Sequence, residues 1–113
     1  MTFDAETISL EIIRSLRSQL LQLDRHDRAE ADNTRRAASS IAHNVSEGRR
    51  RVGKDRFHFW RIALASAAEL RSALHVSVGW GWLVEEELAE AFALIDREIA
   101  MLWRLTHPRA SGA

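Results

Sequence analysis

Residues 57–78 read FHFWRIALASAAELRSALHVSV, and their apolar members decide the fold. Phe57, Trp60, Leu64, Ala67, Leu70, Leu74 and Val78 recur at steps of three and four, the period of one buried helix face. Gly53 stands just before this run and Asp55 falls in its first turn, where a negative charge is favoured, so the spacing predicts a helix over about 54–79. It is the longest and most apolar element of the chain.

The same period extends on both sides. Upstream, Ile8, Ile12, Leu16 and Leu20 recur every four residues, with Ile13 and Leu23 beside them, predicting a helix over about 5–24. The polar stretch DRHDRAEADN (24–33) either ends it or continues it with little core contact. Ala37, Ile41 and Val45 then form a narrow stripe of small side chains over about 33–48, and Gly48 is placed as the left-handed residue that closes that helix. Downstream, GWGWL (79–83) breaks the pattern, and Leu88, Phe92, Ile95, Ile99 and Leu102 define a fourth helix over about 84–106, with Glu85–Glu87 in its first turn. No segment alternates with period two, and no Asn-Gly or Gly-Gly hairpin signal occurs. The expectation is an all-α chain, an antiparallel up-down-up-down four-helix bundle in a single domain over residues 1–113, with a frayed tail HPRASGA (107–113).

Composition agrees with a folded helical protein. Of 113 residues, 46% are hydrophobic, and the absence of cysteine excludes disulfides and thiolate metal sites. No stretch approaches the roughly 18 apolar residues that span a bilayer, and MTFDAETISL lacks the basic-then-apolar pattern of a leader, so no membrane association and a cytoplasmic location are expected. The formal charge of zero conceals an uneven distribution: residues 33–61 hold eight basic groups against Glu47 and Asp55, and the flanking thirds are acidic. Fifteen of the 16 basic residues are arginine, whose planar fork suits phosphate and carboxylate. Two readings of that segment stand, a polyanion contact and a solvated face paired with acids of neighbouring helices.

Motifs for catalysis are missing. GRRRVGKD (48–55) has the phosphate-loop spacing but ends in Asp55 where magnesium needs a hydroxyl, and it follows a helix where such a loop follows a strand. NVS (44–46) is a chance glycosylation match inside a helix. His43 and Glu47 lie one turn apart but lack a third ligand fixed by spacing, so no metal and no cofactor are expected. Asn44 and Glu47 on the second helix, and Ser66 and Glu69 on the third, form two polar pairs three residues apart. If the two faces meet, these pairs bond one another, or Arg36 and Arg61, in a network that sets helix register; unpaired, each buried group would cost about 1–3 kcal/mol. Exposed aromatic rings beside arginines hold single strands, yet Trp60 and Trp103 fall in or beside apolar stripes, leaving Trp80 and Trp82 as partly exposed rings of the kind that mark a protein contact.

RRAASSIAHNVSEGRRR (35–51) and FHFWRIALASAAEL (57–70), in this order and separation, resemble motifs of the four-helix-bundle proteins encoded in intervening sequences of bacterial 23S ribosomal RNA genes. That family is related to the accessory variability determinant of diversity-generating retroelements, and GWGWL occupies the place of its Leu-Gly-Tyr-Leu turn. Ser46 stands where the family has alanine, adding a hydroxyl near the polar pairs. Ala65 stands where it has glycine, adding a methyl group toward the contact between the second and third helices. The resemblance implies an antiparallel four-helix bundle assembled into a ring, commonly a pentamer, with a basic surface. The retroelement relatives look like adaptors for a reverse transcriptase and its RNA or DNA.

Assembly also follows from large apolar residues off the main stripes, such as Phe59, Trp82 and Trp103. The first functional expectation is therefore an oligomeric, non-catalytic protein that contacts the RNA or DNA backbone through Arg49, Arg50, Arg51, Lys54 and Arg56, with Arg35 and Arg36 at the other end of the same helix. The alternative is a protein-interaction adaptor whose arginines meet acidic patches on a reverse transcriptase, another protein or a neighbouring subunit.

Overall fold

In a computed structural model the described residues are 3–109. They form four α-helices, α1 (Asp4–His26), α2 (Arg28–Arg49), α3 (Gly53–Gly79) and α4 (Ala89–Thr106), with a short 3-10 turn at Glu85–Leu88 leading into the last. Among the described residues there is no strand. Residues 110–113 of the tail expected to fray lie outside them.

The apolar stripes become the core. Ile8, Ile12, Leu16, Leu20 and Leu23 of α1, Ile41 and Val45 of α2, Leu70 and Leu74 of α3, and Leu88, Ile95 and Leu102 at and along α4 are all buried in one cluster. Each helix packs on two others: α1 on α2 and α4, and α3 on α2 and α4, with α2 against α3 as the most extensive seam. Small residues make that seam close. Ala37, Ala38, Ala63, Ser66 and Ala67 are all buried, so the two backbones approach without long side chains between them. Ala65 is exposed, so its methyl group points away from the seam it was expected to widen.

The second helix begins at Arg28, earlier than the expected 33. A single extended residue, Asp27 (φ −157°, ψ 107°), separates α1 from α2. Its backbone N–H closes α1 on the Leu23 carbonyl, and its side chain accepts from the Glu30 N–H at 2.8 Å, satisfying an N-terminal donor of α2. The polar stretch 24–33 thus both ends α1 and supplies the first turns of α2, with one residue between them.

Gly48 is a second correction, because it does not close α2 in the left-handed conformation. Among the described residues only Gly53 (φ 59°) and Gly81 (φ 80°) have positive φ, and α2 ends on Arg50 in ordinary right-handed geometry. Gly48 is buried inside the last turn because the Trp60 indole lies over it. A Cβ at position 48 would sit 2.5 Å from Trp60 Nε1 and 3.1 Å from the Arg56 carbonyl oxygen. Trp60 Nε1 donates to the Val45 carbonyl at 3.2 Å, so the ring is both packed and hydrogen-bonded.

Candidate nucleic-acid interface

Between α2 and α3 the chain bends over Arg50, Arg51 and Val52. Arg50 and Arg51 N–H groups bond the Glu47 and Gly48 carbonyls, Val52 is extended, and Gly53 takes the left-handed conformation that lets α3 start at once. GRRRVGKD is therefore a helix end, a short bend and a helix start rather than a phosphate-cradling loop.

The bend carries five cations, and most have partners in the chain. Arg49 pairs with Glu6 at the start of α1 and lies 5.6 Å from the Phe3 ring centre. Arg50 and Arg51 take one oxygen each of Glu47, at 2.7 and 2.9 Å, and hydrogen bonding from both guanidinia holds that carboxyl below its ordinary range. Arg51 also lies over Phe59. Arg56 turns inward, donating to the Gly48 and Arg49 carbonyls at 3.0 Å each while stacked 5.3 Å from Trp60, which places a positive charge on the negative end of the α2 dipole. Lys54 is exposed and has no ion pair among the described residues.

Pairing does not close the surface. The Arg49, Arg50 and Arg51 side chains keep 48%, 69% and 46% of their area in solvent, and exposed ion pairs of this kind are worth about 0–1 kcal/mol. A phosphate offering a charge-assisted, two-pronged contact competes on favourable terms with such a pair.

Arg35 and Arg36 are elsewhere. Arg35 precedes Arg49 by 14 residues of helix, about 21 Å, and is held by Asp24 at 3.1 Å and Asp32 at 3.0 Å. Arg36 is exposed beside Trp80 and Trp82, in a recess at the α1–α2 end. The seven candidate cations thus divide into two groups about 20 Å apart along α2.

The polar pairs meet only in part. Ser66 and Ser40 hydroxyls are 2.7 Å apart, and the Asn44 amide donates to the Ser40 carbonyl at 2.8 Å and its hydroxyl at 3.1 Å. Ser40 is the bridge that sequence reasoning missed, although its position one turn before Asn44 was a legible signal. Glu47 faces the arginines of the bend instead of joining this chain, and Glu69 is exposed; Arg61 lies over Phe57.

A second missed residue is Glu98 on α4. It is fully buried, neither carboxyl oxygen has a hydrogen-bond partner, and burial pushes its carboxyl up to about 8 against a weaker opposing pull from Arg97. Its position three after Ile95 and four before Leu102 put it on the core face of the heptad. His43 is exposed, and no group of three or more metal-ligating side chains comes together among the described residues. No described helix is long and apolar enough to cross a membrane.

A four-helix protein with a cationic bend between its second and third helices is the class these observations define. The family model described as 23S rRNA-intervening sequence protein matches residues 3–104, and the chain belongs to that family. No match is found among curated proteins or among solved structures.

Proposed function

We propose that the protein is a non-enzymatic, oligomeric nucleic-acid-binding protein that contacts phosphates through the α2–α3 bend. Its helices run antiparallel in up-down-up-down order, an arrangement supported by Arg49 near the end of α2 reaching Glu6 near the start of α1, while Arg35 of α2 reaches Asp24 near the end of α1. Arg49, Arg50, Arg51 and Lys54 supply the contacts, and Arg56 shapes the bend. The observation that carries the reading is that these side chains leave a bend braced by Gly48, Trp60 and Arg56 while staying about half exposed or more. No base-reading module accompanies them, so binding is to the backbone of RNA or DNA.

The subunits assemble as a ring, a pentamer in the favoured form, within the cytoplasm. Exposed Leu10, Leu21, Val76 and Trp103 offer apolar surface for the contacts between copies. With about two phosphate contacts per subunit, a pentamer makes about ten, and affinity falls steeply with salt.

The alternative reading is an adaptor without direct nucleic-acid binding, for a reverse transcriptase or another protein. The carboxylate pairing of Arg49, Arg50 and Arg51 favours it, because acids of a partner can replace Glu6 and Glu47.

Fluorescence anisotropy with labelled RNA and DNA across a salt series separates the two. The first reading requires binding that weakens with salt and is lost in the Arg49→Ala, Arg50→Ala, Arg51→Ala triple variant. No binding at low salt, or equal binding by the variant, rejects it in favour of the adaptor. Light scattering on the eluted protein tests the ring, with a monomer as the refuting result.

A further inference from the structure

Trp80 and Trp82 lie at the end of the molecule away from the cationic bend. Gly81, with φ 80°, reverses the chain between them, so two residues that would face apart in a continued helix lie ring on ring, 5.5 Å between centres and 16° from parallel. The platform is fixed from beneath. Trp82 and Leu83 N–H groups bond the Ser77 carbonyl, and Gln22 of α1 donates to the Trp82 carbonyl at 3.1 Å. Trp82 is half-buried against the core, whereas Trp80 leaves 69% of its area in solvent. The other exposed tryptophan differs: Trp103 has the His107 ring stacked 3.5 Å away.

The tryptophans wall a recess of about 460 Å³ with Asp27, Glu30, Asn33 and Arg36 at the start of α2. Its polar groups are unequal in what they have left to offer. Asp27 caps α2, and Glu30 receives only a long 3.4 Å contact from Asn33 on one oxygen. Arg36 is exposed and has no ion pair among the described residues, unlike its neighbour Arg35, which holds two acids. An aromatic platform, a free guanidinium and a carboxylate acceptor form the set that takes an unpaired nucleotide: the ring stacks the base, the guanidinium meets phosphate, and the carboxylate accepts N–H groups from the base edge. Guanine alone among the common bases presents two adjacent N–H donors on that edge, which matches an acceptor better than it matches a second cation.

We propose that Trp80, Trp82, Arg36 and Glu30 form a second nucleic-acid contact, in which one unpaired base, guanine preferred, stacks on Trp80 with its flanking phosphate at Arg36. This rests on the reading of the protein as a nucleic-acid binder and adds what the bend lacks, a preference for single strands and for one base. The two contacts lie at opposite ends of α2, about 20 Å apart along the helix, so their contributions are separable by substitution.

The test uses the full chain and two labelled five-nucleotide RNAs, uridine throughout or with guanosine at the centre. The guanosine strand should bind more tightly to the wild-type protein, and Trp80→Ala should weaken it about ten-fold and abolish the preference. Trp80→Phe, which keeps a stacking face, should retain most of the affinity. The single Arg50→Ala variant of the bend should weaken both strands while preserving the preference. Wild-type binding by Trp80→Ala, with binding still lost in the triple variant, overturns the second contact and leaves the first intact. Failure of both strands to bind the wild-type protein at low salt overturns the nucleic-acid reading and this inference with it. A changed subunit number for Trp80→Ala in light scattering overturns the inference as well, since the ring would then be an interface between copies.

Discussion

The α2–α3 seam and the buried face of α4 solve the same problem differently. In the seam, polar groups inside the protein find one another: Ser40 meets Ser66, Asn44 meets Ser40, and the Trp60 indole meets the Val45 carbonyl. On α4, Glu98 is as deeply buried as any of its apolar neighbours and finds nothing. Gln19 Oε1 on α1 and Ser77 Oγ on α3, the two helices that flank α4, are likewise buried without partners. Satisfied polar groups fix the register of two close helices at small net cost, whereas an unpaired carboxyl is tolerated at the expense of stability. The contrast separates a region built to hold its shape from one whose stability depends on the protonation of a single side chain.

The largest effect is expected where the polarity is unpaired. Between the unfolded carboxyl range near 4.5 and the folded value of about 8, the native state keeps the Glu98 proton that the unfolded state has released. The contribution is therefore fully present below about pH 4.5 and is lost as pH rises through 8. Urea unfolding followed from pH 5 to pH 9 should show a decline of a few kcal/mol that is absent in Glu98→Leu, and the variant should be the more stable protein at pH 9. A flat wild-type profile over that range would show that Glu98 is not the weak point of α4.

An intermediate effect is expected in the seam. Gly48→Ala puts a methyl group into the Trp60 ring and should destabilise the protein by about 1–3 kcal/mol, since the ring is also tied to Val45 and has little freedom to withdraw. Thermal unfolding reads this directly. An unchanged midpoint would mean that the seam is looser than its geometry.

The smallest effect should come from the surface. Glu47→Gln removes a carboxylate shared by two exposed arginines, so its influence on unfolding should be slight and confined to conditions in which the acid is ionised. Its carboxyl is held low, so its stabilisation is lost as pH falls through the folded value, below the ordinary carboxylate range. Nucleic-acid affinity should rise at the same time, because Arg50 and Arg51 are released. A large stability loss would instead make the bend part of the seam.

Much of the architecture was legible, because it depends on a period. Ile8, Ile12, Leu16 and Leu20 with Ile13 and Leu23 beside them, and the run from Phe57 to Val78, encode their helices through three- and four-residue spacing. What was not legible depends on partners distant in the chain. Gly48 has the local signature of a helix stop, but Trp60, twelve residues on and on another helix, makes it a packing position. Arg49 reads as a free cation until the fold brings Glu6 to it from across 43 residues. Arg36 was singled out for its charge and the two tryptophans for their exposure, yet nothing in their spacing announces that they share a recess. Glu98 differs again, since the heptad gave its address and only its charge argued that it should face water.

Arg56 gives the bend a property that total charge conceals. Its guanidinium is engaged by two main-chain oxygens and an indole face, so it behaves as a rivet in the hinge rather than as a hand held out. Lysine in its place would leave the electrostatic sum untouched while removing the fork that grips both carbonyls. Two proteins of identical charge would then present their neighbouring arginines at different angles.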